Sequence, residues 1–430
     1  METIIHAPLI VKVLGSLFVI LFFNKLFNQL GLASILGTLV LAVWSGHSFR
    51  VIGAIAWGRI WSLDMFFLMG IIFQVVWLSA QMEKTGSMKE LVFAVRARIS
   101  QRHALAVLPA VIGLLPMPGG AIFSAPLVDD CDHDKSLPAI LKTKINYWFR
   151  HIWEYWWPLY PGVLLARDLT GIPMSKFMAL QISLSIFAVI AGYFFLLRGT
   201  GSTEIHEDAA AQAAKGDRFL KLVLPIIIVI GTYIVLKFIC PDLARISEYL
   251  PMIIGLVIAM ALLQFQRPLP VQEWRDILFS RKTIAMAAIV LFIRVYGAFL
   301  EARLPDGSLL MDSMRNELYA WGIPVVLVIM LVPFIAGFTS GLAIGFVGAS
   351  FPIVMAVLGA HPSTRELMAT TVLAYCSGYM GMILSPVHVC LIVSNQHFNT
   401  RLADSIVQLI KPALAMLSGG VLLYCAIRFV

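Results

Sequence analysis

The residues with the capacity for chemistry in this chain gather at four places, and each place also interrupts an apolar run. The first is Leu115-Pro116-Met117-Pro118-Gly119-Gly120-Ala121-Ile122-Phe123-Ser124-Ala125-Pro126. Its prolines stop an arriving helix, and its glycines permit a tight turn and close backbone approach. The residues that follow open a second half-helix whose free N–H groups face the turn. Such an N-terminus carries partial positive charge and favours an anion, which makes Gly119, Gly120 and Ser124 candidate binding residues. The second place is Ala336-Gly337-Phe338-Thr339-Ser340-Gly341, followed by Gly345, Gly348, Ala349, Ser350 and Pro352. Thr339 and Ser340 offer hydroxyls there, although small residues at this spacing also pack membrane helices together.

The third and fourth places read as broken helices. One carries Trp156-Trp157-Pro158-Leu159-Tyr160-Pro161-Gly162; the other carries Ser377-Gly378-Tyr379-Met380-Gly381 and then Ser385-Pro386-Val387-His388. A proline removes a donor and frees the carbonyl four residues earlier. Freed carbonyls and hydroxyls can hold a sodium ion or a substrate hydroxyl, and Ser385, His388, Ser394 and Asn395 fall on or near the second break. Upstream of the first break, Lys144, Tyr147, His151 and Glu154 follow a spacing of three, four, three, so they share a helical face. Asn146 and Arg150 lie to the side. In lipid such groups are costly and face protein or a water-filled cavity. They read as a polar pathway for an anion, with Arg150 or His151 as counter-charge beside Glu154; the plainer alternative is a self-contained Arg150–Glu154 pair. His388 reads equally as a proton carrier or as a hydrogen-bonded core residue.

Two further features invite a role. Arg294 sits in the middle of an apolar run with no acid nearby in the sequence, so it reads as an anchor for a carboxylate or a cap for hairpin carbonyls. Asp129-Asp130-Cys131-Asp132-His133-Asp134 has ligand-type side chains. Its spacing suits no helical ligand pattern and Lys135 follows at once, so it reads as a solvated loop, and no metal site or other cofactor is expected. The five cysteines, Cys131, Cys240, Cys376, Cys390 and Cys425, read as small buried hydrophobes.

The elements that must position these residues are set by composition. The chain has 430 residues, 60% apolar and 13% charged, with a mean hydropathy of +0.87. Soluble proteins carry about 25% charged residues, so neither a water-soluble domain nor a disordered chain fits, and a polytopic all-α membrane protein does. The net charge of +8 is explained by basic loops beside apolar spans rather than by nucleic acid. Long apolar segments predict about ten crossings, with re-entrant hairpins at 104–128 and 323–358 and broken helices at 138–166 and 366–394. The first run, around 7–24, lacks a small-residue cleavage site and reads as a retained span.

The polar stretch 199–218 divides the chain into a first unit, 1–198, and a second, 219–430. An offset of 228 pairs Gly113 with Gly341, Gly120 with Gly348, Tyr147 with Tyr375 and Pro158 with Pro386. Each unit reads as span, span, span, hairpin, broken helix, span. Five crossings is an odd number, so the second unit is predicted to be inverted. Inverted repeats with broken helices are the plan of secondary transporters, with substrate near the midplane. Lys84, Lys89, Arg96, Arg98 and Arg102 share a predicted side with Arg267, Arg275, Arg281 and Lys282, which makes that side cytoplasmic.

At the Pro116–Pro126 and Ser385-Pro386-Val387-His388-Val389-Cys390 motifs the chain resembles the membrane family known as domain of unknown function 401, which is distantly similar to gluconate permeases. The likeness runs over nearly the whole chain. It implies an elevator-type homodimer in which substrate sits between hairpin tips and broken helices, with proton or sodium coupling and an organic anion as cargo. Carried over residue by residue, it points to Gly119, Gly120, Ser124, Thr339, Ser340, Ser385 and His388. The run Trp153, Tyr155, Trp156, Trp157 and Tyr160 departs from the gluconate permeases, and neither tip has the Ser-Asn-Thr signature of sodium–dicarboxylate relatives. Substrate and coupling ion therefore stay open.

The expectation is a non-enzymatic secondary transporter for a small organic anion in the inner membrane of a prokaryote, surrounded by lipid. The rivals are an inorganic ion exchanger or exporter, a metal-dependent membrane enzyme built on Asp129–Asp134 and His151, and a passive channel. No nucleotide-binding motif is present, which disfavours ATP-driven transport. The basic loops generate one prediction: a cysteine engineered into 199–218 reacts with a membrane-impermeant thiol reagent only from the cytoplasmic face, and labelling of intact cells at that position would reverse the orientation.

Overall fold

A computed structural model describes residues 7–27, 29–96, 99–116, 120–132, 135–198, 200 and 216–429. Gly119, His133, Asp134 and most of the 199–218 stretch lie outside the described residues. The first half runs through α1 (Leu9–Phe27), α2 (Leu30–Trp44), α3 (Phe49–Ile60), α4 (Leu63–Lys84), α5 (Ser87–Arg96), α6 (Gln101–Ile112), α7 (Ala121–Asp130), α8 (Ala139–Arg150), α9 (Pro161–Thr170) and α10 (Met174–Gly192). A π-helical turn, Tyr193–Leu197, extends α10. The second half runs through α11 (Gly216–Ile239), α12 (Pro241–Ile246), α13 (Leu250–Gln266), α14 (Val271–Leu278), α15 (Arg281–Leu300), α16 (Leu310–Ala320), α17 (Val325–Ser340), α18 (Ala343–Leu358), α19 (Thr364–Ile383), α20 (Val389–His397) and α21 (Leu402–Phe429). Among the described residues there is no strand, only one isolated bridge between Arg303 and Leu309.

Local chemistry sets where several helices begin. Ser62, Ser280 and Ser363 each precede a helix and accept a hydrogen bond from a backbone N–H three residues on, satisfying one of the donors a helix start leaves orphaned. Pro161 opens α9, where its missing N–H costs nothing. Gly341 ends α17 with φ +61°, a left-handed conformation that glycine adopts without a Cβ penalty.

Among the described residues six helical stretches are long and apolar enough to span a bilayer: Leu9–Phe27, Leu63–Lys84, Met174–Leu197, Lys221–Ile239, Val271–Leu300 (α14 running into α15) and Leu402–Phe429. A seventh arises if α16 and α17, bent by 114° at their junction, count as one. The chain is thus a helical, multi-pass membrane protein. The number is below the ten crossings expected from hydropathy because apolar residues do not all fall in full-length helices. The 15 residues of α2 and 17 of α13 rise about 1.5 Å each, short of a hydrocarbon core of about 30 Å. The apolar runs at 138–166 and 366–394 are divided between α8 and α9 and between α19 and α20.

The helix contacts fall into two main groups. In one, α1 packs on α2, α11 on α13, α2 on α15 and α4 on α13. In the other, α6 packs on α7 and α8, and α17 on α18 and α19; α15 on α18 links the two. The halves pack on each other at several places: besides α2 on α15 and α4 on α13, α9 packs on α18, α7 on α20 and α10 on α21. Glycines make the closest crossings. A methyl on Gly337 would overlap the Gly378 carbonyl, one on Gly381 the Phe334 carbonyl, and one on Gly113 the Arg150 carbonyl.

Overpacking a close crossing costs about 1–3 kcal/mol. Gly337→Ala and Gly381→Ala are therefore expected to lower the thermal midpoint of detergent-solubilised protein. Gly231→Ala, where an added methyl meets nothing within 4 Å, should leave it unchanged or raise it, as helix propensity favours alanine. Equal midpoints for all three would show that the α17–α19 crossing is looser than described.

Candidate functional site

The site is built where two helices stop. α8 ends at Arg150, and residues 151–156 turn before Pro158 and Pro161 rule out continuation. α19 ends at Ile383; Ser385-Pro386 follows, and His388 caps the start of α20. The two interruptions face each other. Between them lies a cavity of about 110 Å³ lined by Arg150, His151, Glu154, Tyr160, His388 and Cys390, among others.

Three helix starts open onto this cavity. Pro161 and Gly162 belong to α9, Leu342, Ala343 and Ile344 to α18, and His388, Val389 and Cys390 to α20. A fourth start, that of α7, lies close by: a methyl on Gly120 would overlap the Arg150 guanidinium. The guanidinium thus rests against the turn that opens α7. Arg150 is 2% exposed. Helix N-termini carry roughly half a positive charge each, so they and the arginine add and are suited to an anion, while Glu154, which lines the same cavity, offsets one charge.

The imidazoles complete the site. His151 Nδ1 donates to the Tyr147 carbonyl, which leaves its Nε2 as the lone-pair nitrogen. That Nε2 lies 3.1 Å from His388 Nε2 and 3.4 Å from Arg150 Nη1. Glu154 Oε1 is 3.9 Å from the same nitrogen. The Nδ1 of His388 has no hydrogen-bond partner among the described residues. Ligand atoms of His151, His388 and Cys390 all lie within 4.8 Å of one another.

Tyrosines hold the broken backbone. Tyr379 Oη donates to the His151 carbonyl at 2.8 Å and Tyr375 Oη to the Glu154 carbonyl at 2.7 Å. Reciprocally, Tyr147 Oη donates to the Ile383 carbonyl at 3.0 Å. Tyr160 Oη donates to the Gly113 carbonyl, and Ser385 Oγ to the Phe338 carbonyl at 2.6 Å.

The structure sorts the residues that the sequence singled out. Gly120, Arg150, His151, Glu154 and His388 meet at the cavity or its wall. Ser124 Oγ points back to the Gly120 carbonyl at 3.5 Å. Thr339 and Ser340 bond to the Ile335 and Ala336 carbonyls of their own helix, each at 2.7 Å. Ser385 braces the α17 end. Asn395 is consumed by structure, giving Nδ2 to the Leu391 carbonyl and accepting Thr400 and Ser405 on Oδ1. Gly119 lies outside the described residues. Arg294 is not in the cluster: its Nε is 2.8 Å from Asp168 Oδ2, and Asp168 Oδ1 accepts from Tyr249 Oη at 2.9 Å. The acid that sequence proximity did not reveal comes from α9 in the other half. Asp129 and Asp132 both bind Lys142, at 2.6 and 3.2 Å, which spends two of the carboxylates a metal-dependent enzyme there would need. Cys390, read as a bland hydrophobe, lines the cavity. Its place two residues after His388 is the signal that could have marked it.

A multi-pass helical membrane protein with a polar cavity lined by Arg150, Glu154, His151, His388 and Cys390 is the class these features define. The chain belongs to the family described as protein of unknown function (DUF401), whose model matches residues 10–427. No curated protein matches the chain.

The Arg294–Asp168 pair generates a prediction about stability. Removing one partner of a buried ion pair costs about 3–5 kcal/mol, while replacing both by apolar residues is often neutral. Arg294→Ala should lower thermal stability sharply, and Arg294→Met with Asp168→Leu should recover most of it. If the double variant were as unstable as the single, the arginine would have a role outside this pair.

Proposed function

We propose that this protein is a secondary active transporter that carries a small organic anion, a carboxylate or sugar acid, across the inner membrane of a prokaryote, coupled to protons or sodium. The observation that carries the proposal is the buried Arg150 guanidinium at a cavity on which the starts of α9, α18 and α20 converge. In a medium of low dielectric, the helix starts and Arg150 together exceed the single carboxylate of Glu154 and suit a bound anion. A carboxylate accepts paired N–H groups from arginine and backbone donors from helix starts in the same plane.

The neighbours of Arg150 suit coupling. His151, His388 and Glu154 are protonatable groups within or beside the anion site, so a proton can enter with the anion and offset its charge. The cavity is formed by residues of both halves of the chain, in keeping with a substrate site at a repeat interface.

An inverted-repeat, elevator-type homodimer is the architecture we attach to this reading. Its support is the reciprocity of the contacts. Pro109 and Pro333 lie inside α6 and α17, and Pro126 and Pro352 inside α7 and α18. Each broken segment sends its second piece against the other half, α9 to α18 and α20 to α7. Tyr147 and Tyr375, 228 residues apart in the sequence, cap carbonyls at each other's break.

The test is uptake into proteoliposomes across a panel of labelled carboxylates and sugar acids, under an imposed proton or sodium gradient. Saturable uptake of one class is expected. Arg150→Gln should reduce it by about 100-fold, the loss of one charge-assisted contact, while remaining monodisperse. The paired variant Arg294→Met with Asp168→Leu should retain it. Gradient-driven ion flux without any organic solute would instead establish the inorganic exchanger, and unimpaired uptake by Arg150→Gln would remove the site.

A further inference from the structure

We infer that His151, His388 and Cys390 form a binding site for one thiophilic d10 metal ion of the zinc class, with an open position toward the cavity. The inference concerns the same cavity as the transport reading but rests on ligand geometry alone.

Three observations converge. The first is the donor set. Two imidazoles and a thiol, with ligand atoms within 4.8 Å of one another, are buried together. Nitrogen and sulfur donors of this kind select zinc or copper(I) over magnesium or calcium. The second is orientation. His151 gives its Nδ1–H to the Tyr147 carbonyl, the outer contact that fixes the tautomer of metal-ligating histidines and leaves Nε2 to the ion. The two Nε2 atoms are 3.1 Å apart, close to the roughly 3.3 Å between two nitrogens bound at about 2.0–2.1 Å to one tetrahedral ion. The third is the lone pair left over. If His388 donates its Nε2–H to His151, its Nδ1 is a buried acceptor with no partner among the described residues. No protein hydrogen bond to that nitrogen opposes reorientation of the ring about an ion.

The charge balance decides what completes the site. Arg150 Nη1 is 3.4 Å from His151 Nε2 and repels a cation. The Cys390 thiolate and Glu154, whose Oε1 is 3.9 Å from that nitrogen, together outweigh it by one negative charge. A divalent ion would therefore keep one uncompensated positive charge. Three protein ligands with a vacant fourth position is the pattern of an open zinc site that takes a water or an anion, rather than of a closed structural one. Binding requires loss of the thiol proton, so affinity should rise with pH.

The experiment uses the full chain in detergent after chelator treatment, with Cys240→Ser and Cys425→Ser to remove the two exposed thiols. Zinc titration with elemental analysis of the desalted protein should give one equivalent, undiminished by excess magnesium. Cobalt(II) should give a thiolate-to-metal charge-transfer band. Cys390→Ser should abolish that band, and His388→Gln should weaken zinc binding at least 10-fold. Gel filtration of each variant reports folding, and the histidine variant serves if the cysteine variant aggregates. No retained zinc, equal competition by magnesium, or an unchanged cobalt spectrum in Cys390→Ser would each overturn the site. None of these readouts depends on transport.

Discussion

A helix interrupted inside hydrocarbon leaves carbonyls and N–H groups that lipid cannot satisfy, each at a cost of several kcal/mol. The interior of this protein is arranged around that debt. The carbonyls exposed where α8 stops are taken by Tyr375 and Tyr379 of α19, and the one exposed where α19 stops is taken by Tyr147 of α8. Each break is thus supported by a side chain from the other half of the chain. Neither half can present its interrupted helix without the other, so the cavity is a joint product of both. The tyrosine is suited to the task because its ring fills apolar space while its hydroxyl reaches a polar atom.

Close backbone approach is the second device. Without a side chain at Gly113, the end of α6 lies against the Arg150 carbonyl, and without one at Gly120 the guanidinium reaches the start of α7. A cation beside a helix start is unfavourable in isolation, since both carry positive potential. Holding them together calls on packing elsewhere and on the Glu154 carboxylate that shares the cavity. The surrounding crossings, Gly337 on Gly378 and Gly381 on Phe334, are of the tight kind that could bear such a load.

Composition and hydropathy made the helical membrane class legible, because 13% charged residues cannot cover a water-exposed surface. Punctuation by Pro and Gly was legible too: α17 stops at Gly341, α19 stops three residues before Pro386, and Pro116 and Pro158 lie in the non-helical segments after α6 and α8. Chemistry near those breaks was only half readable. Arg150, His151, Glu154 and His388 are visible because polar side chains are rare in such segments. Serine and threonine were harder to read, since Thr339, Ser340 and Ser124 donate to carbonyls of their own helices, a choice of rotamer that residue type does not encode. Cys390 gave no polarity signal, and Asp168 lies 126 positions from Arg294, so their pairing is a fact of tertiary structure.

The Arg294–Asp168 pair also has a history written into it. Tyr249 and Glu248, at the start of α13, and Arg167 of α9 join the same network, with Arg167 bound to Glu248 at 3.0 Å. A lineage that loses one charge passes through a protein with an unmatched ion in a dry environment, and few descendants survive that step. Drift at 168 and 294 is therefore expected to be concerted, with both positions charged or both apolar. Among related sequences these two positions should change as one character, and a sequence in which they do not would mark a branch whose α9 has found another partner.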